Sequence, residues 1–255
     1  MRILLTNDDG FFAPGITALY DVLSADHQHE ITIAAPEGQR SATGRSITIY
    51  KPLFVTNHDL KGSDTGLAVN GTPTDCVKLA IQGDILPYKP DLIISGINDG
   101  PNVGTDIFYS GTVAAAMEGV LLGIPSIAVS LASYEYRNYL PSAVFIKDLI
   151  DSHQDLVNSR DGLLNINIPG TDENCWQGIR FTKLGKSVYD NTFEGRKAPF
   201  GKEYYWISGT PVYDDEPDSD VKAIQEGFVS ITPLHSDLTD YNKIERLRNT
   251  VISLR

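Results

Sequence analysis

Four short apolar runs with almost no charge constrain this chain most: Ile3-Leu4-Leu5, Ile31-Thr32-Ile33-Ala34, Leu92-Ile93-Ile94-Ser95 and Ser126-Ile127-Ala128-Val129-Ser130. A strand with one wet face alternates polar and apolar residues. These runs do not, so each reads as a strand buried on both faces. Helical spacing fills the intervals: Pro14 to Leu23 with proline in the first turn, Pro73 to Gln82, and Thr112 to Leu122 closed by Gly123. Leu140 to Val157 reads as a further helix and Leu163 to Ile168 as a strand, while Ser46 to Val55 is expected to hold one or two strands. Strands alternating with helices predict a Rossmann-like three-layer α/β fold with a mostly parallel sheet. Such folds receive ligands beyond the carboxyl ends of their strands.

After about Gly178 the helical periodicity fades. Polar and aromatic strand pieces follow (Arg180-Phe181-Thr182 and Tyr204-Tyr205-Trp206-Ile207), then a short helix Ser219 to Glu226, a strand Val229 to Thr232 and a terminal helix Tyr241 to Val251. The expected organisation is an α/β core over 1–178 and a β-rich and helical extension over 179–255, not a second independent domain. Tyr204, Tyr205 and Trp206 read as interface or core strand residues.

The 255 residues carry 21 Lys and Arg against 33 Asp and Glu, a formal net charge of −12, with 41% hydrophobic residues. That is a globular balance, and apolar residues recur too evenly for disorder. An acidic chain repels phosphate polymers and anionic lipid, so neither a nucleic-acid polymer nor a membrane is an expected partner. Eight acidic residues and one lysine lie between Val212 and Asp240, however, so the remainder is mildly acidic and admits a small phosphate ester. No run of about eighteen apolar residues suits a membrane helix, and Asp8-Asp9 follow Met1 too soon for a signal peptide. With only Cys76 and Cys175, outside metal-ligand spacing, a reducing cytoplasm is the expected compartment.

The chemistry concentrates at strand ends. Thr6-Asn7-Asp8-Asp9-Gly10 closes the first strand with adjacent carboxylates, which repel by roughly 1 kcal/mol at 4 Å in water and about 4 at an effective dielectric of 20. A shared proton or a hard divalent cation relieves that repulsion, and so does a solvated turn in which one Asp caps the next helix. Ser95-Gly96-Ile97-Asn98-Asp99-Gly100-Pro101-Asn102-Val103-Gly104 follows another strand, bringing backbone and neutral amides close to any ligand. Tyr109-Ser110-Gly111-Thr112-Val113 opens a helix whose N-terminus can cap itself, receive an anion, or do both. Arg40-Ser41-Ala42-Thr43-Gly44-Arg45-Ser46 is a small, locally basic loop, and Asn70 to Asp75 reads as a helix cap. A phosphate dianion approaches Asp8 and Asp9 only with a cation between them, so the loops together point to metal-assisted phosphoryl hydrolysis. A nucleophilic-aspartate phosphatase would want Asp-x-Asp, and a dinucleotide-binding module Gly-x-Gly-x-x-Gly; neither stands after the first strand.

The run Ile3 to Gly10 with Ala13-Pro14-Gly15, the stretch Ser95 to Asp106 leading into Tyr109 to Val113, Val69 to Val77, and Ile231-Thr232-Pro233-Leu234 together resemble the SurE survival-protein family over nearly the whole chain. The resemblance implies a phosphatase with one divalent cation per subunit, Mg²⁺ or Mn²⁺, hydrolysing nucleoside 5′- and 3′-monophosphates and short polyphosphate. It implies Asp8, Asp9, Ser41 and Asn98 as metal ligands, with Asp8 and Asp9 catalytic, and Asn102, Ser110, Gly111 and Thr112 around the phosphate. It also implies a homodimer or homotetramer built through the residues after 178. The chain departs from the family in placing Ala42 after Ser41, where the family usually has glycine, and Ala115 where glycine is common.

Overall fold

The charge-free runs form the centre of a sheet. The computed structural model describes residues 1–61, 64–190, 192–213 and 216–248. In chain order the first elements are β1 (Arg2–Thr6), α1 (Pro14–Ser24), β2 (Glu30–Pro36), β3 (Val55–Asp59), β4 (Thr65–Val69), α2 (Pro73–Gln82), β5 (Leu92–Asp99), α3 (Gly111–Leu121) and β6 (Ser126–Ala132). They continue with α4 (Leu140–Ser152), α5 (Gln154–Val157), β7 (Leu163–Pro169), β8 (Ile179–Phe181), β9 (Ser187–Asp190), β10 (Phe193–Lys197), β11 (Glu203–Ile207), β12 (Thr210–Tyr213), α6 (Asp220–Gln225), β13 (Val229–Leu234) and α7 (Tyr241–Arg248). Nine strands make one sheet in the order β3-β4-β2-β1-β5-β6-β7-β13-β8, parallel except at β3–β4 and β7–β13. The chain winds outward from β1 in both directions, which puts the topological switch point between β1 and β5.

Alternation within the strands builds the three layers. Ile3 and Leu5 face one side and pack with Ile16, Leu19 and Leu23 of α1 and Ile146 and Ile150 of α4. Leu4 faces the other side and joins Val77 and Ala80 of α2 and Ala115 of α3. Ala115, where the family favours glycine, is fully buried there. Among the described residues no helix is long and apolar enough to cross a membrane.

Two sequence expectations change. Ser46 to Phe54 form no strand, because Thr48 gives its backbone N–H and hydroxyl to the Asp75 carboxylate at 2.9 and 2.6 Å, where a strand would spend them on a ladder. Asp75 is the partner of Thr72 in a capping box on α2, so this loop is stitched to a helix start. The helix expected over Leu140 to Val157 breaks at His153, whose backbone leaves the helical region at φ −131°, ψ 50°.

Residues after 178 both complete the sheet and leave it. β13 and β8 form its far edge, whereas β9–β12 and β10–β11 are separate two-stranded ladders. Every residue of β10 and β11 is exposed, so Tyr204, Tyr205 and Trp206 belong to no core of this protomer. The terminal helix is described to Arg248; the rest of the stretch expected to Val251 lies outside the described residues.

Candidate active site

The end of β1 is locked by Asn7, whose side chain exchanges hydrogen bonds with Gly10 at 2.9 and 3.1 Å, fixing the turn that carries both aspartates. Asp8 is buried, and its carboxylate accepts the Thr112 hydroxyl and the Gly111 N–H at the start of α3. Gly111 is required for this approach: a Cβ there would lie 2.7 Å from Asp8 Cβ and 2.9 Å from its Oδ2. Asp9 is less buried and accepts the Asp99 N–H at 3.2 Å.

Burial lifts the Asp8 carboxyl to about 6; the Asp9 charge adds to this and the Thr112 hydroxyl opposes it. Asp9 is also raised, by burial first and by the charge of Asp99. Among the described residues no lysine or arginine forms an ion pair with either. The negative charge at the switch point is therefore uncompensated.

β5 reaches the same point through an irregularity. Its register against β6 shifts between Ser95 and Asn98, around Gly96, whose φ of +140° excludes a side chain, as does the backbone opposite: a Cβ there would lie 2.3 Å from Val129 O. The shift re-aims Asn98 at the strand end. Asn98 Nδ2 donates to Gly100 O at 2.9 Å, which leaves its amide oxygen to offer. Ser41 is exposed, and its hydroxyl accepts Gln39 Nε2 at 3.0 Å. Its loop is drawn to the site by the Arg40 N–H on Asp8 O at 2.6 Å and the Gly44 N–H on Tyr109 O at 3.0 Å. Ala42 takes φ +56°, the left-handed region that glycine favours, so the departure from the family pattern falls at a strained position.

Ser110 caps α3, accepting the Val113 N–H at 3.1 Å. Thr112 is fully buried with its hydroxyl engaged by Asp8, so its backbone N–H is what it presents at the helix start. Asn102 is buried and held on three sides. Its N–H donates to Asn167 Oδ1 at 2.8 Å, its carbonyl accepts Asn165 and Asn167 Nδ2 at 2.9 Å each, and its Nδ2 donates to Ser130 Oγ at 2.8 Å.

Four residues were missed in the sequence. Asp99 steadies Asp9 through its N–H, pairs with Arg137 at 3.1 Å, and keeps Oδ1 buried without a hydrogen-bond partner. Asn165 and Asn167, fully buried, alternate with Ile166 and Ile168, and that period-two polar pattern inside an apolar strand was the available signal. Asp220, also fully buried, accepts the N–H groups of Gly104 and Gly185 at 2.8 Å each, and nothing local marks it.

The donors fit a hard cation. A buried and a half-buried carboxylate without a counter-charge, an amide oxygen and a hydroxyl are the oxygen set that Mg²⁺ or Mn²⁺ takes. Among the described residues no three His, Cys, Asp or Glu side chains gather into a metal-ligand group, so neutral oxygens complete any such set.

A doubly wound α/β chain with an acidic strand-end centre facing a helix N-terminus defines the class. Within it the chain belongs to the SurE family, whose profile, Survival protein SurE, matches residues 3–191. It is 57% identical over 251 residues to the 5′-nucleotidase SurE of Desulfitobacterium hafniense, covering 98% of this chain and 97% of the relative. The 5′-nucleotidase SurE of Pelotomaculum thermopropionicum is 51% identical over 251 residues, covering 97% and 94%. The crystal structure of the SurE protein from Aquifex aeolicus superposes with a TM-score of 0.83 at 37% identity, over 97% of this chain and 98% of that one.

Proposed function

We propose that this chain is a divalent-metal-dependent phosphoric monoester hydrolase, a 5′-nucleotidase that releases phosphate from nucleoside monophosphates. The observation that carries this reading is the uncompensated Asp8–Asp9 pair, with Asp8 buried and hydrogen-bonded to the helix start that can receive an oxyanion. The names of the relatives support the same activity. Nucleoside 3′-monophosphates and short polyphosphate are the further substrates to test, and the working form is a cytoplasmic homodimer or homotetramer assembled through residues after 178.

Asp8, Asp9, Ser41 and Asn98 would hold the cation, Mg²⁺ or Mn²⁺, which supplies charge neutralisation and a water of lowered pKa. The chain does the rest. The Thr112 N–H at the helix start and the Asn102 amide orient the phosphate oxygens and favour charge as it shifts in the transition state. Thr112 and the Gly111 N–H hold Asp8 in one orientation. Asp9, the more accessible carboxylate, has Oδ2 occupied by the Asp99 N–H, so proton transfer falls to Oδ1. Arg40 and Arg45 line the approach loop as cations for the incoming dianion.

The test is phosphate release from AMP and GMP by purified protein with Mn²⁺ or Mg²⁺. Activity should vanish with EDTA and in Asp9→Asn. Hydrolysis that persists without metal refutes the reading.

A further inference from the structure

The inner strand β7 carries two fully buried amides, Asn165 and Asn167, between Ile166 and Ile168. The isoleucines enter the core on the α1–α4 face, as the strand pattern requires. The amides occupy the opposite face, where the neighbouring β6 residues in register are Ala128 and Ser130 and Ala128 packs against Val113 and Ala116 of α3. An apolar pair would fill that face at no desolvation cost, whereas each unsatisfied buried amide group costs about 1–3 kcal/mol. Asn165 Oδ1 is buried without a hydrogen-bond partner, and the bonds the two amides do make lie on one residue. Asn167 receives the Asn102 N–H at 2.8 Å, and both amides donate to the Asn102 carbonyl at 2.9 Å. Ser130 accepts Asn102 Nδ2 at 2.8 Å. Two residues further on, the fully buried Asp220 of α6 accepts the Gly104 N–H at 2.8 Å.

The backbone donor and acceptor and the side-chain Nδ2 of Asn102 are therefore all tied to the sheet, which fixes the turn after β5 at this residue. Holding a polar group in place before the ligand arrives is how a site avoids reorganisation during the reaction. We infer that Asn165, Asn167 and Ser130 are positioning residues that hold the Asn102 amide for the phosphate group of the substrate. They act through Asn102 and touch no substrate themselves. The inference rests on the nucleotidase reading, in which Asn102 faces phosphate.

Asn167→Ala and Ser130→Ala are compared with wild type at saturating Mn²⁺, using AMP as substrate and inorganic phosphate as competitive inhibitor. Asn167→Ala is expected to raise both KM and the phosphate inhibition constant about tenfold or more, and Ser130→Ala about threefold, with the Mn²⁺ concentration for half-activity unchanged within twofold. A purely structural role would lower Tm and leave the phosphate constant of the folded enzyme where it was; that outcome overturns the inference. If Asn167→Ala does not fold, Ser130→Ala decides alone, and a phosphate constant unchanged within 1.5-fold overturns it. Wild-type protein that neither hydrolyses AMP nor binds phosphate overturns the nucleotidase reading and this inference together. Active wild type with unaffected variants overturns the positioning role only.

Discussion

Replacing Asp8 by Asn should make the metal-free protein more stable while abolishing its activity. The Asp8 carboxyl is 4% exposed and, mainly through burial, titrates at about 6 in the fold against 3.8 ordinarily. Each pKa unit is worth about 1.36 kcal/mol, so ionised Asp8 costs the folded state about 3 kcal/mol at neutral pH. Asn removes that charge but has one oxygen to accept both Thr112 and Gly111, which returns about 1 kcal/mol. The net gain is about 2 kcal/mol, or roughly 4–8 °C in Tm for a chain of this size. The sign of the pH dependence follows from a raised folded pKa. Below pH about 4 Asp8 is protonated folded or unfolded and the variant has no advantage; the wild type loses stability as pH rises through about 6, and the gap is full above that. Thermal unfolding of both proteins in EDTA from pH 4 to 8 measures it. Adding Mn²⁺ should raise the wild-type Tm and leave the variant nearly unmoved, because only the wild type keeps both carboxylates. A variant no more stable than wild type in EDTA at pH 7.5, or a gap that does not close by pH 4, refutes the argument that the pair is an unpaired buried charge.

Gly111→Ala places a Cβ 2.9 Å from Asp8 Oδ2 and should lower kcat/KM at least tenfold by displacing that carboxylate from the helix start, read from AMP turnover with Tm as the control. Thr112→Val keeps the shape and removes the hydroxyl donor to Asp8; losing a hydrogen bond to a charged group costs about 1.5–3 kcal/mol. It should raise the Asp8 pKa further and move the acid limb of the pH–rate profile upward. Trp206→Glu puts a charge on the exposed β10–β11 ladder and, on the proposed homo-oligomer, should reduce the mass in light scattering without lowering the Tm of the protomer.

The sheet was legible because burial on both faces leaves a charge-free run, and every such run became an inner strand. The helix starts were legible because Thr72 with Asp75, and Ser110, act through local hydrogen bonds. Legibility failed where a bond spans the chain. Asp75 reaches back 27 residues to Thr48 and consumes the groups a strand at 46–54 would need. Asp220 reaches 116 residues back to Gly104, so nothing near either residue announces the pair. The site itself divides along the same line. Asp8, Asp9, Asn98 and the Ser110–Thr112 turn declare themselves as polar residues at strand or helix ends, where a buried sheet has no structural use for them. Asn165 and Asn167 hold Asn102, and Asp99 holds Asp9, from behind, and they read as ordinary strand or turn positions.

That division has an energetic side. The proposed centre holds two carboxylates that burial makes reluctant to ionise, and Arg137 pairs not with them but with Asp99. Had Arg137 paired with Asp9, the carboxylate would ionise easily and the protomer would be more stable, but a cation would then have to displace a fixed positive charge to bind. Leaving the pair unpaired destabilises the free protein and, on the proposed reading, would raise the gain on binding a divalent ion by the same amount, since such an ion would relieve both the desolvation and the mutual repulsion. The hydrogen bonds from Thr112, Gly111 and Asp99 belong to the same proposal: without them the two carboxylates would be free to relax away from each other, and a cation would find neither in place.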